Sequence, residues 1–198
     1  KMKEFDNYRD IIVDYWFSKK YMEWMMNGNK YDQEITEKFQ FLLEPALQGK
    51  LNHWKNTKKG FLAFVILLDQ MPRHIYRGNY KSYQFDDIVC KFVKLSYMKY
   101  IDRYTPIEQM FALMPLQHSE SIDDQNLGIS ILEGLIKDSK SEANTKFLEE
   151  VLFHQKGHHA VIQKYGRFPK RNKFFKSRIN TKAEQDYLRS ERNSNKPY

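Results

Sequence analysis

The sequence predicts an all-α protein, and three observations carry that prediction. Only eight glycines occur in 198 residues, no Asn-Gly or Asp-Gly turn joins two alternating segments, and apolar residues recur at steps of three and four along most of the chain. With 41% apolar residues and 30 Phe, Tyr and Trp spread from end to end, the chain has the material for a packed core. Helices joined by short loops then pack as successive antiparallel pairs, about eight helices in all.

The first element is read from "EFDNYRDIIVDYWFSKKYMEWMM", where Phe5, Tyr8, Ile12, Tyr15 and Trp16 share a face. The second, "YDQEITEKFQFLLEPALQG", repeats the pattern with Ile35, Phe39, Leu42 and Leu43 and ends at Gly49. Eight consecutive apolar residues, "FLAFVILL" at 61–68, fit a buried strand or a buried helix. Their continuation through "DQMPRHIYRG" to Gly78 favours a central helix. Further helices are expected over about 80–103, 106–114, 120–137, 143–165 and 181–189, the last opened by a Thr-x-x-Glu capping box at Thr181 and Glu184. Residues 1–190 read as one helical domain and 191–198 as a flexible basic tail.

Charge is distributed unevenly. Residues 1–153 hold 21 Lys and Arg against 22 Asp and Glu, whereas 154–198 hold 12 against 3, so the net charge of +8 belongs to the last segment. No apolar run reaches the length of a membrane span and "KMKEFDNYRD" lacks a secretory h-region, which predicts a cytoplasmic protein with no membrane partner. The single cysteine, Cys90, excludes an internal disulfide and reads as an inert buried thiol.

Three segments could carry chemistry. In "LLDQMPRHIYRG", Asp69, Arg73 and Arg77 fall at i, i+4, i+8 on one helical stripe. Pro72 cannot donate to Leu68, so a kink or an end is expected there with backbone acceptors left free beside Asp69. Taken alone the stripe favours a structural ion pair over an anion-binding wall. In "MPLQHSESIDDQ", Ser119 or Ser121 can cap a helix, which leaves His118 unexplained at an expected helix start. His154 and His158 stand at i, i+4 and could share a metal with His118 or Glu120. The absence of a His-Glu-x-x-His arrangement and an expected interruption at Gly157 argue against it, so no metal or cofactor is expected.

Together "LAFVILLDQMPRHIYRG", "PLQHSESIDDQ" and His158 followed by "AVIQKYGRFPKRN" resemble the largely bacterial domain-of-unknown-function family 924. Its pattern reads approximately LLLDQFPRN-x-FRG, P-x-x-HSE with a Gln five residues after the Glu, and H-x-x-x-I-x-x-FGRFPHRN. "YWF", "GKLNHW", Asp86 in "YQFDD" and "SRINTKAEQDYL" also fit, so the resemblance covers nearly the whole chain. It implies a fold similar to right-handed tetratricopeptide-like superhelices and supplies no function. By position the family's polar set falls on Asp69, Gln70, Arg73, Arg77, His118, Ser119, Glu120, Gln125, His158, Arg167, Arg171 and Asn172. His74, Lys170 and Ser177 depart from the pattern, and His154 is not part of it.

Such a polar set points to a pocket for a small phosphate- or carboxylate-bearing anion. Arg73, Arg77, Arg167 and Arg171 are candidates to grip it, Gln70, Ser119 and Asn172 to orient it, and His118 or His158 to handle a proton, positioned by Glu120 or Asp69. Metal-independent hydrolysis or group transfer fits that set, although it lacks an obvious nucleophile. The alternatives are RNA or nucleotide binding through the basic segment, where Tyr165, Phe168, Phe174 and Phe175 interleave with cations, and a peptide-binding scaffold. Within "YGRFPKRN", Gly166 is expected to cap its helix and Phe168 to anchor an extended arm in the core. Lys170 reads as surface charge.

Overall fold

A computed structural model describes residues 4–193, and all regular structure within them is helical. The α segments are α1 (Tyr8–Phe17), α2 (Tyr21–Asn27), α3 (Asp32–Phe39), α4 (Leu43–Leu47), α5 (Lys58–Val65), α6 (Met71–Ile75), α7 (Asp86–Ser96), α8 (Pro106–His118), α9 (Ile122–Asp138), α10 (Glu142–Tyr165) and α11 (Lys182–Asn193). Short 3-10 turns fill several of the joints. None of these helices is long and apolar enough to cross a membrane.

The ambiguous apolar run is the axis of the molecule. Every residue from Gly60 to Pro72 is buried, and a helix apolar all round has to be enclosed by others. α1 packs on α5, α3 on α6, and α8 on α5; α7 lies against α8 and against the turn between α5 and α6. That turn, Ile66–Gln70, is a π-turn in which the Met71 amide reaches back five residues to the Ile66 carbonyl. Pro72 therefore sits in the first turn of α6, where it needs no amide partner, and the rod is rewound at the point where a kink was expected.

Successive pairing is clearest from α7 onward, where α7, α8, α9 and α10 pack on one another in order. In the first half, α1 and α3 find partners distant in sequence, on the buried rod formed by α5 and α6. The superhelical stacking implied by the family resemblance is not confirmed by these contacts. Several boundaries also differ from expectation, including those within 31–49 and 80–103, where 3-10 turns divide or shorten the expected helices. The N-terminal helix breaks at Ser18–Lys20 into α1 and α2, which folds Trp24 back onto Trp16 with ring centroids 4.0 Å apart and planes at 4°. α8 runs through Pro115 to His118, since burial of Gln109 to Leu116 outweighs the missing amide donor. α10 passes uninterrupted through Gly157. The tail expected over 191–198 is helical to Asn193 and lies outside the described residues from 194 onward.

Two glycines make opposite predictions about stability. A Cβ on Gly60 would meet the Trp54 carbonyl oxygen at 2.2 Å, a backbone atom that cannot step aside, whereas one on Gly157 meets nothing within 4 Å. Gly60→Ala is expected to destabilise by roughly 1–3 kcal/mol, and Gly157→Ala, inside a helix, to stabilise by about 0.5–1 kcal/mol. Urea denaturation of the two variants checks both signs.

Candidate functional site

The site begins with Asp69, a carboxylate with 0% exposure held in the π-turn. His118 Nδ1 lies 2.8 and 3.0 Å from its two oxygens, and Gln70 Nε2 donates to Oδ2. Arg73 stands 3.6 Å from Oδ1 and donates from NH1 to the Asp69 carbonyl, one of the acceptors expected to be free beside Pro72. Burial works against the charge of Asp69, and His118 and Arg73 with the two N–H donors overcome it, holding the carboxyl down to about 2.

His118 is the last residue of α8, where the sequence placed it beside the start of the next helix, because Ser119 turns extended with ψ 141°. Its Nδ1 proton is directed at Asp69, which leaves Nε2 as a lone pair with no hydrogen-bond partner among the described residues. Burial lowers its pKa, with Arg73 adding to the effect and Asp69 opposing it. His158, from α10, makes the same kind of arrangement: Nδ1 donates to the Gln117 carbonyl at 3.2 Å, and burial, with the nearby His118 ring, pushes the pKa down to about 4. For both imidazoles burial disfavours the charged form, and both line one cavity.

That cavity has a volume of about 580 Å³. Its cations are Arg73, Arg77, Lys170 and Arg171; its rings include Trp24, Tyr83, Phe168, Phe174 and Tyr187; no Asp or Glu is among the described residues that line it. The counter-charges stand behind. Asp86 takes a bidentate pair from Arg73 at 3.0 and 2.9 Å and accepts from Arg171 at 3.2 Å. Asp32 takes Arg77 together with His74, and Glu191 takes Lys170 at 2.8 Å. Arg171 also donates to the His118 carbonyl at 2.9 Å and lies over the rings of Tyr83 and Phe168, at 4.6 and 4.5 Å. Two of its five N–H donors are used in these bonds, so donors remain for a ligand.

The remaining sequence candidates do not reach this wall. Arg167 is engaged by Glu184 at 2.7 and 3.0 Å and by the Ile179 carbonyl, so it ties α10 to α11. Asn172 is buried with its amide on Asn180 and Glu184. Glu120 orients neither histidine: it takes Arg178 at 2.8 and 2.6 Å and the Phe168 amide at 2.8 Å. Ser119 donates to Asp124, and Gln125 holds the turn between α8 and α9 through the carbonyls of Gln117 and Ser119. Cys90 also donates to Asp124, and burial drives its thiol up to about 12. Among the described residues no three His, Cys, Asp or Glu come together as a metal site.

The segment after α10 is likewise redrawn. Gly166 takes φ +70° as expected, but the chain then folds into a 3-10 turn, Pro169–Phe174, and does not run as an extended arm. Phe168 is half-buried against His158, with centroids 5.4 Å apart, and lines the cavity where a core anchor was expected. Lys170, read as surface charge, lines it too. Sequence reasoning gave Asp86 no role, missed Tyr83 and Asp32, and singled out Phe168 only as a stacking ring or a core anchor. The adjacency of Asp86 to a family motif was the one available signal.

Fold and site together define an all-α protein with a cation-lined, aromatic cavity between its central helix and its C-terminal segment. A family model described as "Bacterial protein of unknown function (DUF924)" matches residues 12–192, and the chain belongs to that family. A solved structure, the protein of unknown function ATU0120 from Agrobacterium tumefaciens, is similar at a TM-score of 0.82 and 23% identity, covering 94% of this chain and 99% of that one. At that identity the likeness speaks to the fold. Among curated proteins none matches the chain.

The depressed pKa of His158 has a defined consequence for stability. An unfolded histidine titrates near 6.5 and the folded one near 4, so the stabilisation is fully present above about pH 6.5 and is lost as pH falls toward 4, by up to about 3 kcal/mol. His158→Gln keeps a donor for the Gln117 carbonyl and cannot titrate. Stability measured by denaturant unfolding across that window should fall more steeply for the wild type than for the variant. Parallel curves would refute the assignment.

Proposed function

We propose that the protein binds a small anionic compound in this cavity, with the Asp69–His118 pair as its acid–base group. One observation carries the reading. A wall presenting Arg73, Arg77, Lys170 and Arg171, with its carboxylates placed behind it, offers donors to an anion, and the two imidazole nitrogens beside them are left to accept from a ligand hydroxyl, a water or a proton. Because Asp86 and Asp69 balance Arg73 and Arg171, the wall suits an anion of low charge bound by directed hydrogen bonds better than a polyanion. Aromatic rings beside the cations favour a ligand with a flat or apolar portion.

An Nε2 lone pair fixed by an Asp–His bond is the arrangement of a general base acting on water or a ligand hydroxyl. Hydrolysis or group transfer without a bound metal is the activity this supports. Among the described residues neither the thiol nor the serine hydroxyl of the wall is free to act as a nucleophile: Cys90 is tied to Asp124, and Ser82 donates to the Tyr76 carbonyl at 2.6 Å. The nucleic-acid alternative has less support, since Arg167, Lys170, Arg171 and Arg178 each face a carboxylate. We infer a cytoplasmic setting for a small-molecule protein of this kind.

Benzenesulfonate, which keeps its charge across the neutral and mildly acidic range, is a suitable probe. Calorimetry should show saturable binding that tightens as pH falls, because a bound anion raises the pKa of His118 and His158 and the complex takes up protons. Arg171→Gln should weaken binding at least about tenfold, the loss of one charge-assisted hydrogen bond. Binding insensitive to both pH and Arg171 would rule the reading out.

A further inference from the structure

We propose that the ligand is an amphiphilic anion whose apolar tail lies in a second, methionine-lined chamber; this rests on the anion site proposed above. The chamber measures about 300 Å³ and is bounded by Met22, Met25, Met26, Met110, Met114 and Phe147, among others. Five of the eight methionines in the chain thus meet in one place. Unbranched thioether side chains suit a space that must accept slender apolar groups of varied shape.

Continuity with the cationic cavity identifies the occupant. Met25, Met114 and Gln117 belong to the walls of both spaces, so the partition between them is two flexible methionines and one amide. Met114 Sδ accepts from Gln70 Nε2 at 3.1 Å, and the same Gln70 nitrogen donates to Asp69. The inner face of the partition is thereby tied to the acid–base pair. Gln117, which lines both spaces, contributes its carbonyl to His158. A head group held by Arg73 and Arg171 beside the histidines would have its substituent directed past Met25 and Met114. On the far side, Met22 and Met26 of α2 remain 48% and 59% exposed, apolar surface that a tail would cover.

A homologous series tests this: methanesulfonate, butanesulfonate and octanesulfonate titrated into the wild-type protein and into Arg171→Gln. The expected result is affinity rising by roughly fourfold per buried methylene, then levelling as the chamber fills. In protein labelled with ¹³C at the methionine methyls, octanesulfonate should move the Met22 and Met110 resonances, whereas methanesulfonate should leave both in place. This readout needs no core substitution. Val151→Phe, which fills the chamber, should abolish the chain-length gain and spare methanesulfonate. Equal affinity along the series with Met110 unmoved overturns the tail chamber and leaves the anion site standing. Octanesulfonate binding as tightly to Arg171→Gln as to the wild type overturns it as well, since the chamber would then act without the head site. If no sulfonate binds, both readings fail.

Discussion

A single buried carboxylate organises this protein. Asp69 has no exposed surface, and an ionised group in that position is tolerable only if charge and hydrogen bonds converge on it. The π-turn is what delivers it there. By adding one residue to the turn before Pro72, it places the Asp69 side chain toward α8 and turns its carbonyl to the Arg73 guanidinium. From that point a closed circuit runs through four elements. Asp69 holds the His118 ring, the His118 carbonyl accepts from Arg171, Arg171 and Arg73 share Asp86, and Arg73 returns to Asp69.

The circuit contains two carboxylates and two guanidiniums, so its net charge is zero and every member is placed by two others. Removing Asp86 would leave Arg171 without a carboxylate in a poorly solvated place, which is far costlier than losing a surface ion pair. Such mutual restraint is what a binding wall requires. Side chains that already hold their positions lose little entropy when a ligand arrives. Arg171, pinned between Tyr83 and Phe168 with donors to spare, is the clearest instance.

How much of this could be read from the sequence depends on the distance over which each residue finds its partner. Helical periodicity is local, so the all-α class, the central buried helix, the Thr181–Glu184 capping box and the cap at Gly166 were legible. The stripe of Asp69, Arg73 and Arg77 was legible as a face but not as a set of bonds. Asp69 goes to His118, 49 residues away, and Arg77 goes to Asp32, 45 residues back. Arg167 and Arg171 looked equivalent because both belong to the family pattern. They separate because Gly166 and the 3-10 turn send one toward Glu184 and the other toward Asp86, a matter of backbone direction that residue type does not encode. Glu120 looked like a partner for a histidine beside it in sequence, and the turn between α8 and α9 points it the other way, to Arg178 and the Phe168 amide.

The uneven charge of the chain acquires a physical explanation from the same geometry. A segment carrying 12 cations against 3 acids reads, by itself, as a site for polyanions. At least six of those cations, however, face carboxylates, among them Lys156 on Glu133 and Arg189 on Asp186. Arg171 and Arg178 reach back to Asp86 and Glu120 in the body of the protein, and Arg167 and Lys170 meet Glu184 and Glu191 of α11. The excess of positive charge is therefore used in part to dock the C-terminal segment against a slightly acidic body. Docking is also what creates the cavity, because Phe168, Pro169, Lys170, Arg171, Phe174 and Tyr187 form the wall opposite the central helix. Without that segment, Gln70, Arg73, His118 and His158 would stand on an open face, where water would screen the arginines and raise the histidine pKa values toward their ordinary range.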